Sequence, residues 1–416
     1  MTNSHSTGPN DNLSGGAIRR KSSTMSKGAA LGLGVVLLLV GIGTGYAVTK
    51  YALSGSSGNS STSTTTISET GSSLIYPYLQ VLSPAFSAVY PNIALSPASP
   101  GSGTGISSAE AGTVDMGGTD AYLTPSTASG HNLINFPIAI SAQLIVYNIP
   151  GISSHLNLNG TILSMIYQGA ITKWNDPLIQ AANPGVSLPG NTIVPIHRQD
   201  GSGDTFMFSS LCYMSWSGWA QKYGTTITWP VGPSATGNSG MVTLLGSTQY
   251  GIAYIGISYL KQVNSTAGLA YAAVGDQNAN VNGVVSSGGA GQQNYILPSA
   301  YTISQDANLG LQNLQPPSVA VSLILGGVPG ATNLVLGAGG TLASSAFPSP
   351  YPDTNLEYLL ISSSPASQSH MKAVLTFLEW SLAYGGTYAP QVSFLPLTAA
   401  VIGYDMQALN AVPISN

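Results

Sequence analysis

The stretch HRQDGSGDTF, residues His197–Phe206, joins the features of a strand end, a glycine-serine loop and a helix start. Arg198 and Asp200 are two positions apart, so on a β-strand their side chains would point the same way. Asp200 would then orient the guanidinium group. The following Gly201-Ser202-Gly203 lets a ligand approach the backbone, supplies a hydroxyl and leads into exposed helix N–H groups. This segment therefore suits an oxyanion.

Two other segments have the same character, namely Gly71-Ser72-Ser73-Leu74 and Gly101-Ser102-Gly103-Thr104-Gly105. Each one alone is also typical of a helix cap or a turn. Their combination with Arg198, the sole arginine beyond Arg20, favours an anion site. A single arginine provides no basic stripe for a run of phosphates, so we expect no nucleic-acid partner.

The composition is unusually poor in charge. Hydrophobic residues make up 43% of the 416 residues, which is ample for large cores, but charged residues make up only 6%, against roughly 25% in a typical soluble domain. A surface wetted by Ser, Thr, Asn, Gln and Tyr loses little charge in acid. This pattern fits an acidic exterior, and it also fits a Gly/Ser-rich secreted protein without pH adaptation.

Metal chemistry has little support in the sequence. Cys212 is the single cysteine, so neither an intrachain disulfide nor a cysteine-based zinc site can form. The five histidines show no metal-ligand spacing. We expect neither a metal nor a cofactor.

The N-terminal region has the pattern of a membrane anchor. An uncharged apolar run at 28–48 is long enough to cross a bilayer as one helix, and Arg19, Arg20, Lys21 and Lys27 precede it. We therefore predict a cytoplasmic tail at 1–27, a transmembrane helix or uncleaved signal anchor at 28–49, and a flexible Ser/Thr-rich linker at 50–66. A cleaved signal peptide is the alternative.

The remainder alternates strand-like runs, such as Ala139–Tyr147, with helical patterns, such as His370–Tyr384. This alternation predicts an α/β fold. About 350 residues exceed what one core usually holds, so two lobes with a ligand between them are expected.

Several motifs resemble the phosphate-binding proteins of ABC importers. The main ones are GTVDMGGTDAYL at Gly112–Leu123 and the HRQDGSGDTF stretch, and the others are VYNIPG, ITKWNDPLI, NPGVSLP, TWPVG and GIAYI between Val146 and Ile255. The resemblance implies a two-lobed periplasmic-binding-protein fold that closes over a dehydrated phosphate and delivers it to permease subunits, without catalysis. It places lobe 1 at 67–140 and 355–416 and lobe 2 at 141–354, with chain crossings near Ser141 and Asn355.

The resemblance also implies roles for individual residues. Hydrogen bonds to phosphate would come from Ser73, Leu74, Ser102, Ser202 and Gly203. Arg198 would supply the positive charge, and Asp120 would accept a proton from the bound phosphate. Asp200 would orient Arg198 and is a candidate for accepting another proton.

Two positions depart from the family pattern. Ser73 stands where Thr is frequent, which keeps the hydroxyl. Asp204 stands where a Thr hydroxyl commonly contacts phosphate, and a further carboxylate would repel a dianion. We therefore expect the Asp204 side chain to turn outward and only its backbone N–H to donate.

Other function classes have weaker support. A hydrolase would need Ser102 or Ser202 as nucleophile with His197 as base, but no G-x-S-x-G motif occurs. On a strand, His197 should face away from its neighbour Arg198. A surface-layer protein would explain the composition but not the ordered anion segments, and sulfate remains an alternative ligand.

Overall fold

The computed structural model describes residues 64–275, 295–311, 351–365 and 367–412. The predicted membrane helix at 28–49 and most of the predicted linker lie outside these ranges. Of the helices within these ranges, none combines the length and apolar character needed to cross a bilayer. The first strand begins at Thr65, inside the predicted linker, because Thr65 and Thr66 pair with Ile93 and Ala94.

Strands and helices alternate along the chain, as predicted. The strands are β1 Thr65–Gly71, β2 Ile93–Ala98, β3 Met116–Thr119, β4 Leu133–Asn148, β5 Asn157–Leu158, β6 Val194–Arg198, β7 Ser234–Ala235, β8 Gly251–Gly256, β9 Leu269–Tyr271, β10 Ala273–Gly275, β11 Tyr295–Ile296 and β12 Thr354–Ser362. The helices are α1 Tyr76–Val89, α2 Ser102–Glu110, α3 Pro125–Gly130, α4 Gly160–Tyr167, α5 Pro177–Ala182, α6 Gly203–Ser215, α7 Gly237–Ser247, α8 Leu260–Ser265, α9 Ala300–Leu311, α10 Gln368–Tyr384 and α11 Ala399–Ala411. Short 3₁₀ turns lie at Ile257–Tyr259, Gly385–Thr387 and Ala389–Val392.

The main sheet of the described residues has the strand order β2-β1-β3-β12-β4-β8-β6-β7, and β9 also pairs with β4. β1 is parallel to β2 and β3, whereas β12 is antiparallel to β3 and β4. β8 is antiparallel to β4 and parallel to β6. A smaller sheet has the order β11-β10-β5.

The long strand β4 connects two halves of this sheet. Residues 133–142 pair with β12, and residues 143–148 pair with β8. We call β2, β1, β3, β12 and 133–142 the first half-sheet, and 143–148, β8, β9, β6 and β7 the second. Ser141 lies opposite Asn355 in the β4–β12 pair, so the two predicted chain crossings are neighbours. The architecture is a two-lobed α/β fold.

The core forms around β4 and β12, which are almost continuously buried. A strand covered on both faces needs an apolar run rather than alternation, and β4 has the sequence LINFPIAISAQLIVYN. α1 packs its buried face, formed by Tyr78, Leu79, Leu82 and Phe86, against this core. Phe86 meets Phe377 of α10 edge to face, with ring centroids 5.2 Å apart. These contacts pack α1 and α10 against the core that contains β4 and β12.

Candidate functional site

Arg198 ends β6, and its side chain is 1% exposed. Its Nε donates to Oδ1 of Asp200 at 2.8 Å, and its Nη2 contacts Oδ2 of the same carboxylate. This bidentate pair is the predicted one, although Asp200 lies just beyond the strand. Burial lowers the pKa of Arg198, but the bonds and charges of Asp200 and Asp204 raise it above its usual value. The guanidinium therefore stays charged.

The backbone around Arg198 is held by a buried aromatic cluster. The Arg198 N–H donates to the hydroxyl of Tyr254 at 2.9 Å, and this hydroxyl is 2.8 Å from Oγ1 of Thr205. His197 turns the other way, as expected, and stacks on Trp229 with ring centroids 5.3 Å apart. Its ring nitrogens lie near the carbonyl oxygens of Arg198 and Gly232.

Asp120 directly follows β3 and is buried. Its Oδ1 accepts a hydrogen bond from Oγ of Ser72, and its Oδ2 lies 3.4 Å from Oγ of Ser102. Its backbone carbonyl accepts from Nδ2 of Asn355 at 2.7 Å. Gly203 packs against the Asp120 carboxyl so closely that an added Cβ would overlap it. Asp120 therefore sits against the start of α6.

The three glycine-serine segments meet at this point. The N–H of Gly101 donates to the carbonyl of Gly71 at 2.8 Å, and the N–H of Gly103 donates to that of Gly201 at 2.9 Å. α2 begins at Ser102 and α6 at Gly203, so their first N–H groups have no intrahelical partner. Two helix starts from the two half-sheets thus face Asp120 and Arg198.

The first segment differs in detail from the prediction. α1 begins at Tyr76, so Ser73 and Leu74 lie in the preceding turn. Ser72 caps this turn, because its Oγ accepts from the N–H of Leu74 at 2.9 Å. Oγ of Ser73 accepts from the backbone N–H and from Nδ2 of Asn238, both at 3.1 Å.

The expectation that Asp204 turns outward is wrong. Its side chain is 1% exposed, and its Oδ2 accepts from Nη1 of Arg198 and from Nδ2 of Asn238, each at 2.7 Å. Gln143 lies 3.4 Å from the other oxygen. These donors come from β6, α7 and β4, and they hold the carboxylate in the inward orientation.

Ser202 stabilises the start of α6. Its Oγ accepts from the N–H of Thr205 at 3.3 Å, as expected for an N-cap. The structure brings all the predicted residues together at one place, and they are Ser73, Leu74, Ser102, Asp120, Arg198, Asp200, Ser202, Gly203 and Asp204.

Glu357 is a neighbour of the site that sequence reasoning missed. It lies on β12, is fully buried, and contacts Oγ of Ser141. Burial raises its pKa well above the usual range, and the Asp120 carboxyl acts in the same direction. Burial also raises the pKa of Asp120, while Glu357, Ser72 and Arg198 oppose that rise. A protonated Glu357 beside Asp120 is therefore the favoured arrangement, although Oε2 of Glu357 has no hydrogen-bond partner among the described residues.

A sequence signal for Glu357 exists, because it is the only charged residue in the strand TNLEYLLIS. Asn238 gives a weaker signal, because an Asn near a helix start is common for structural reasons. Its N–H and side chain contact Oγ of Ser73, which lies 165 positions earlier in the chain. Local patterns contain no information about such a contact.

Comparison with known proteins agrees with this geometry. The model of the PBP superfamily domain matches residues 56–308. The phosphate-binding protein PstS of Xylella fastidiosa is 31% identical over 335 residues, which cover 80% of this chain and 81% of that protein. This chain belongs to the phosphate-binding PstS family. A second member, PstS of Pasteurella multocida, is 30% identical over 73% of this chain and 78% of its own length.

A solved structure shares the fold of this PstS family member. A high-affinity periplasmic phosphate-binding protein, solved with phosphate bound, superposes with a TM-score of 0.57 at 20% sequence identity. The superposition covers 81% of this chain and 92% of that one. The prediction of a two-lobed periplasmic-binding-protein-like fold is thus confirmed.

Proposed function

We propose that this protein is the extracytoplasmic solute-binding component of a phosphate ABC importer. It captures inorganic phosphate in the site around Arg198 and delivers it to the permease subunits. The main support for this function is that the buried guanidinium of Arg198, two helix starts and the carboxylate of Asp120 lie at the same place. The membership of the PstS family supports it.

The donors of the site match the acceptor oxygens of phosphate. The first N–H groups of α2 and α6, apart from those of Gly103 and Thr205, which donate to Gly201 and Ser202, and the hydroxyls of Ser73 and Ser102 supply neutral donors. Arg198 supplies a charged donor, and such hydrogen bonds are the strong ones in anion recognition. We assign Gly203 to the same shell through its backbone N–H. Leu74 and Ser202 would join it by exchanging the bonds that their N–H groups make with Oγ of Ser72 and with the carbonyl of Thr225.

Asp120 makes the site selective for an anion that carries a proton. Phosphate near neutral pH has a P–OH group that can donate to the carboxylate, whereas sulfate has none. A buried carboxylate that faces sulfate would be unpaired and would repel it. Selectivity of this kind depends on the repulsive element as much as on the attractive one.

A hydrolase is not favoured by the geometry. Its base would be His197, which stacks on Trp229 and lies near the carbonyl of Gly232. The Ser202 hydroxyl caps α6, and the Ser102 hydroxyl lies near Asp120. Neither serine is thus arranged with His197 as a nucleophile and base.

We further propose that the apolar run at 28–48 anchors the chain in the membrane as a single helix. The preceding Arg19, Arg20, Lys21 and Lys27 favour a cytoplasmic N-terminus. The linker at 50–66 then holds the binding domain outside, where lobe 1 consists of 67–140 and 355–416 and lobe 2 of 141–354.

Equilibrium dialysis with radiolabelled phosphate tests the proposed function. We expect the purified full-length protein in detergent to retain one phosphate per chain and to release it unchanged on dilution. The same preparation should leave a chromogenic phosphoester intact. Turnover of the phosphoester, or no retained phosphate, would contradict the proposal.

A further inference from the structure

The carboxylate of Asp204 lies where a bound anion would need hydrogen-bond donors. Its Oδ2 takes one donor from Nη1 of Arg198 and another from Nδ2 of Asn238. Nε and Nη2 of Arg198 donate to the Asp200 carboxylate. In this structure carboxylates therefore engage both Nη atoms and Nε of the guanidinium.

The charges around the site are unbalanced in favour of negative charge. Arg198 is the one buried cation of the described residues, whereas Asp120, Asp200 and Asp204 all lie in its immediate surroundings. With these three carboxyls ionised, the site would carry two more negative charges than positive before any ligand enters. A dianion would meet this excess in a buried place, where repulsion is weakly screened. A ligand that brings protons would meet hydrogen-bond acceptors instead.

We propose, on the basis of the function proposed above, that Asp204 is a second proton acceptor and that the site takes phosphate as its dihydrogen monoanion. One P–OH group donates to Asp120 and the other to Asp204, while the two remaining oxygens accept from Arg198 and the helix starts. The Asp204 carboxylate exchanges its bond with the guanidinium for a bond from the ligand.

Several other groups face Asp204 and influence its charge. They are Arg198 on β6, Asp120 after β3, Asp353 before β12, Glu357 on β12, Tyr254 on β8 and Tyr259 in the 3₁₀ turn after β8, and Asp200 shares Arg198 with Asp204. Burial raises the pKa of Asp204 to about 7, and Asp120 adds to this rise. Arg198, Asn238 and Gln143 act in the opposite direction.

The consequence is a proton linkage in alkaline solution. Well above pH 7 free phosphate is mostly the dianion, and Asp204 is ionised. The bound complex contains one proton more than these separated partners, whether that proton resides on phosphate or on Asp204. Binding must therefore take up one proton from the solvent. By mass action, the apparent Kd weakens by about tenfold for each further pH unit.

Calorimetric titration of phosphate at pH 8.5, repeated in buffers of different ionisation enthalpy, measures how many protons are taken up on binding. We expect the full-length wild type to take up close to one proton per phosphate, and its Kd to weaken by about tenfold per unit between pH 8 and 9.5. Asp204→Asn keeps the shape and offers an N–H donor, and Asp204→Thr offers a hydroxyl. Both variants should bind the dianion with almost no proton uptake and with a nearly constant Kd.

The number of protons that the wild type takes up per bound phosphate tests the role of Asp204 even if a variant does not fold. Binding of phosphate by the wild type without proton uptake, and with a constant Kd, would overturn the role of Asp204 and leave the phosphate-binding function intact. Proton uptake that persists unchanged in folded Asp204→Asn would also overturn it. Failure of the wild type to bind phosphate at any pH from 5 to 9 would overturn the proposed function itself.

Discussion

At the scale of single residues, one guanidinium and its surrounding carboxyls have different roles in the proposed site. Asp200 holds the fork of Arg198, Asp120 is the proposed acceptor of a hydrogen bond from phosphate, and Glu357 lies beside Asp120 on β12. Each carboxyl has a different environment, so each should respond differently to substitution.

Asp120→Asn should reduce the preference for phosphate over sulfate. The amide keeps the shape of the carboxylate, removes its charge and offers an N–H₂ donor, so sulfate is no longer repelled. Sites that leave a buried polar group unpaired can discriminate by about 10⁴ to 10⁵, so the change should be large. Competition titrations with both anions on wild type and variant measure it. A variant that rejects sulfate as strongly as the parent would show that Asp120 is not the discriminator.

Glu357 should act as a hydrogen-bond donor rather than as a charge. Glu357→Gln retains a donor toward Asp120, and we expect phosphate affinity within about threefold of wild type, because a hydrogen bond to Asp120 is still available. Glu357→Leu removes the donor and should weaken binding by about tenfold or more, in line with about 1.5 kcal/mol for a bond to a charged group. Equal affinities for the two folded variants, measured by calorimetry, would exclude this role.

At the scale of secondary-structure elements, the site depends on where α2 and α6 begin. Gly203 is the first residue of α6, and the Asp120 carboxyl occupies the space that a Cβ would need. Gly403 in α11 provides a contrast, because a Cβ there would meet open space.

Gly203→Ala should therefore weaken phosphate binding by at least about tenfold, because the new methyl group displaces Asp120 or the helix start. Gly403→Ala should leave binding unchanged and stabilise its helix by about 1 kcal/mol. Titration and thermal melting of both variants give the comparison. Full phosphate affinity in Gly203→Ala would show that the contact with Asp120 is not needed.

Much of this arrangement was predictable from sequence, because the informative patterns are local. Glycine and serine before a helix, and Arg198 two positions before Asp200, are both visible in a ten-residue window. The orientation of Asp204 was not predictable in this way. Its partners Asn238 and Gln143 lie 34 and 61 positions away, and without them a first-turn acid is expected to face solvent. Glu357 was missed because β12 reaches Asp120 only through the sheet.

At the scale of the whole molecule, the few charged residues are distributed unusually. Six of the fourteen acidic residues are buried within the described part of the chain, namely Glu69, Asp120, Asp204, Asp353, Glu357 and Asp405, against one buried cation, Arg198. Burial raises the pKa of Glu69 and of Asp353 to about 8 and that of Asp405 to about 9. Such groups are tolerated as neutral acids.

This distribution predicts a protein that is more stable in acid than at alkaline pH. Each carboxyl with a raised pKa contributes stability that is fully present below about pH 4. This contribution declines as pH rises and is lost once pH passes the pKa of that carboxyl in the folded state. Each such group changes the free energy of unfolding by about 1.4 kcal/mol per pH unit within that window. Urea unfolding at pH 5 and pH 8 should therefore show the higher stability at pH 5.

Asp405→Asn is the matched test of this prediction, because neither carboxyl oxygen of Asp405 has a partner among the described residues. The variant should lose part of the pH dependence between pH 5 and 8 while keeping phosphate binding. A wild-type stability that is constant or rises toward pH 8 would contradict the prediction and remove the support for an acidic exterior.

The most direct test of the central claim is a calorimetric titration of inorganic phosphate into the full-length protein and into Arg198→Ala. We expect one phosphate site per chain in the wild type. In the variant we expect a loss of at least about a hundredfold in affinity, because a charge-assisted bond is removed and carboxylates are left facing the anion. Lys222→Ala, which removes an exposed cation, should bind as the wild type does. Equal phosphate affinities in wild type and folded Arg198→Ala would contradict the claim that this arginine holds the ligand.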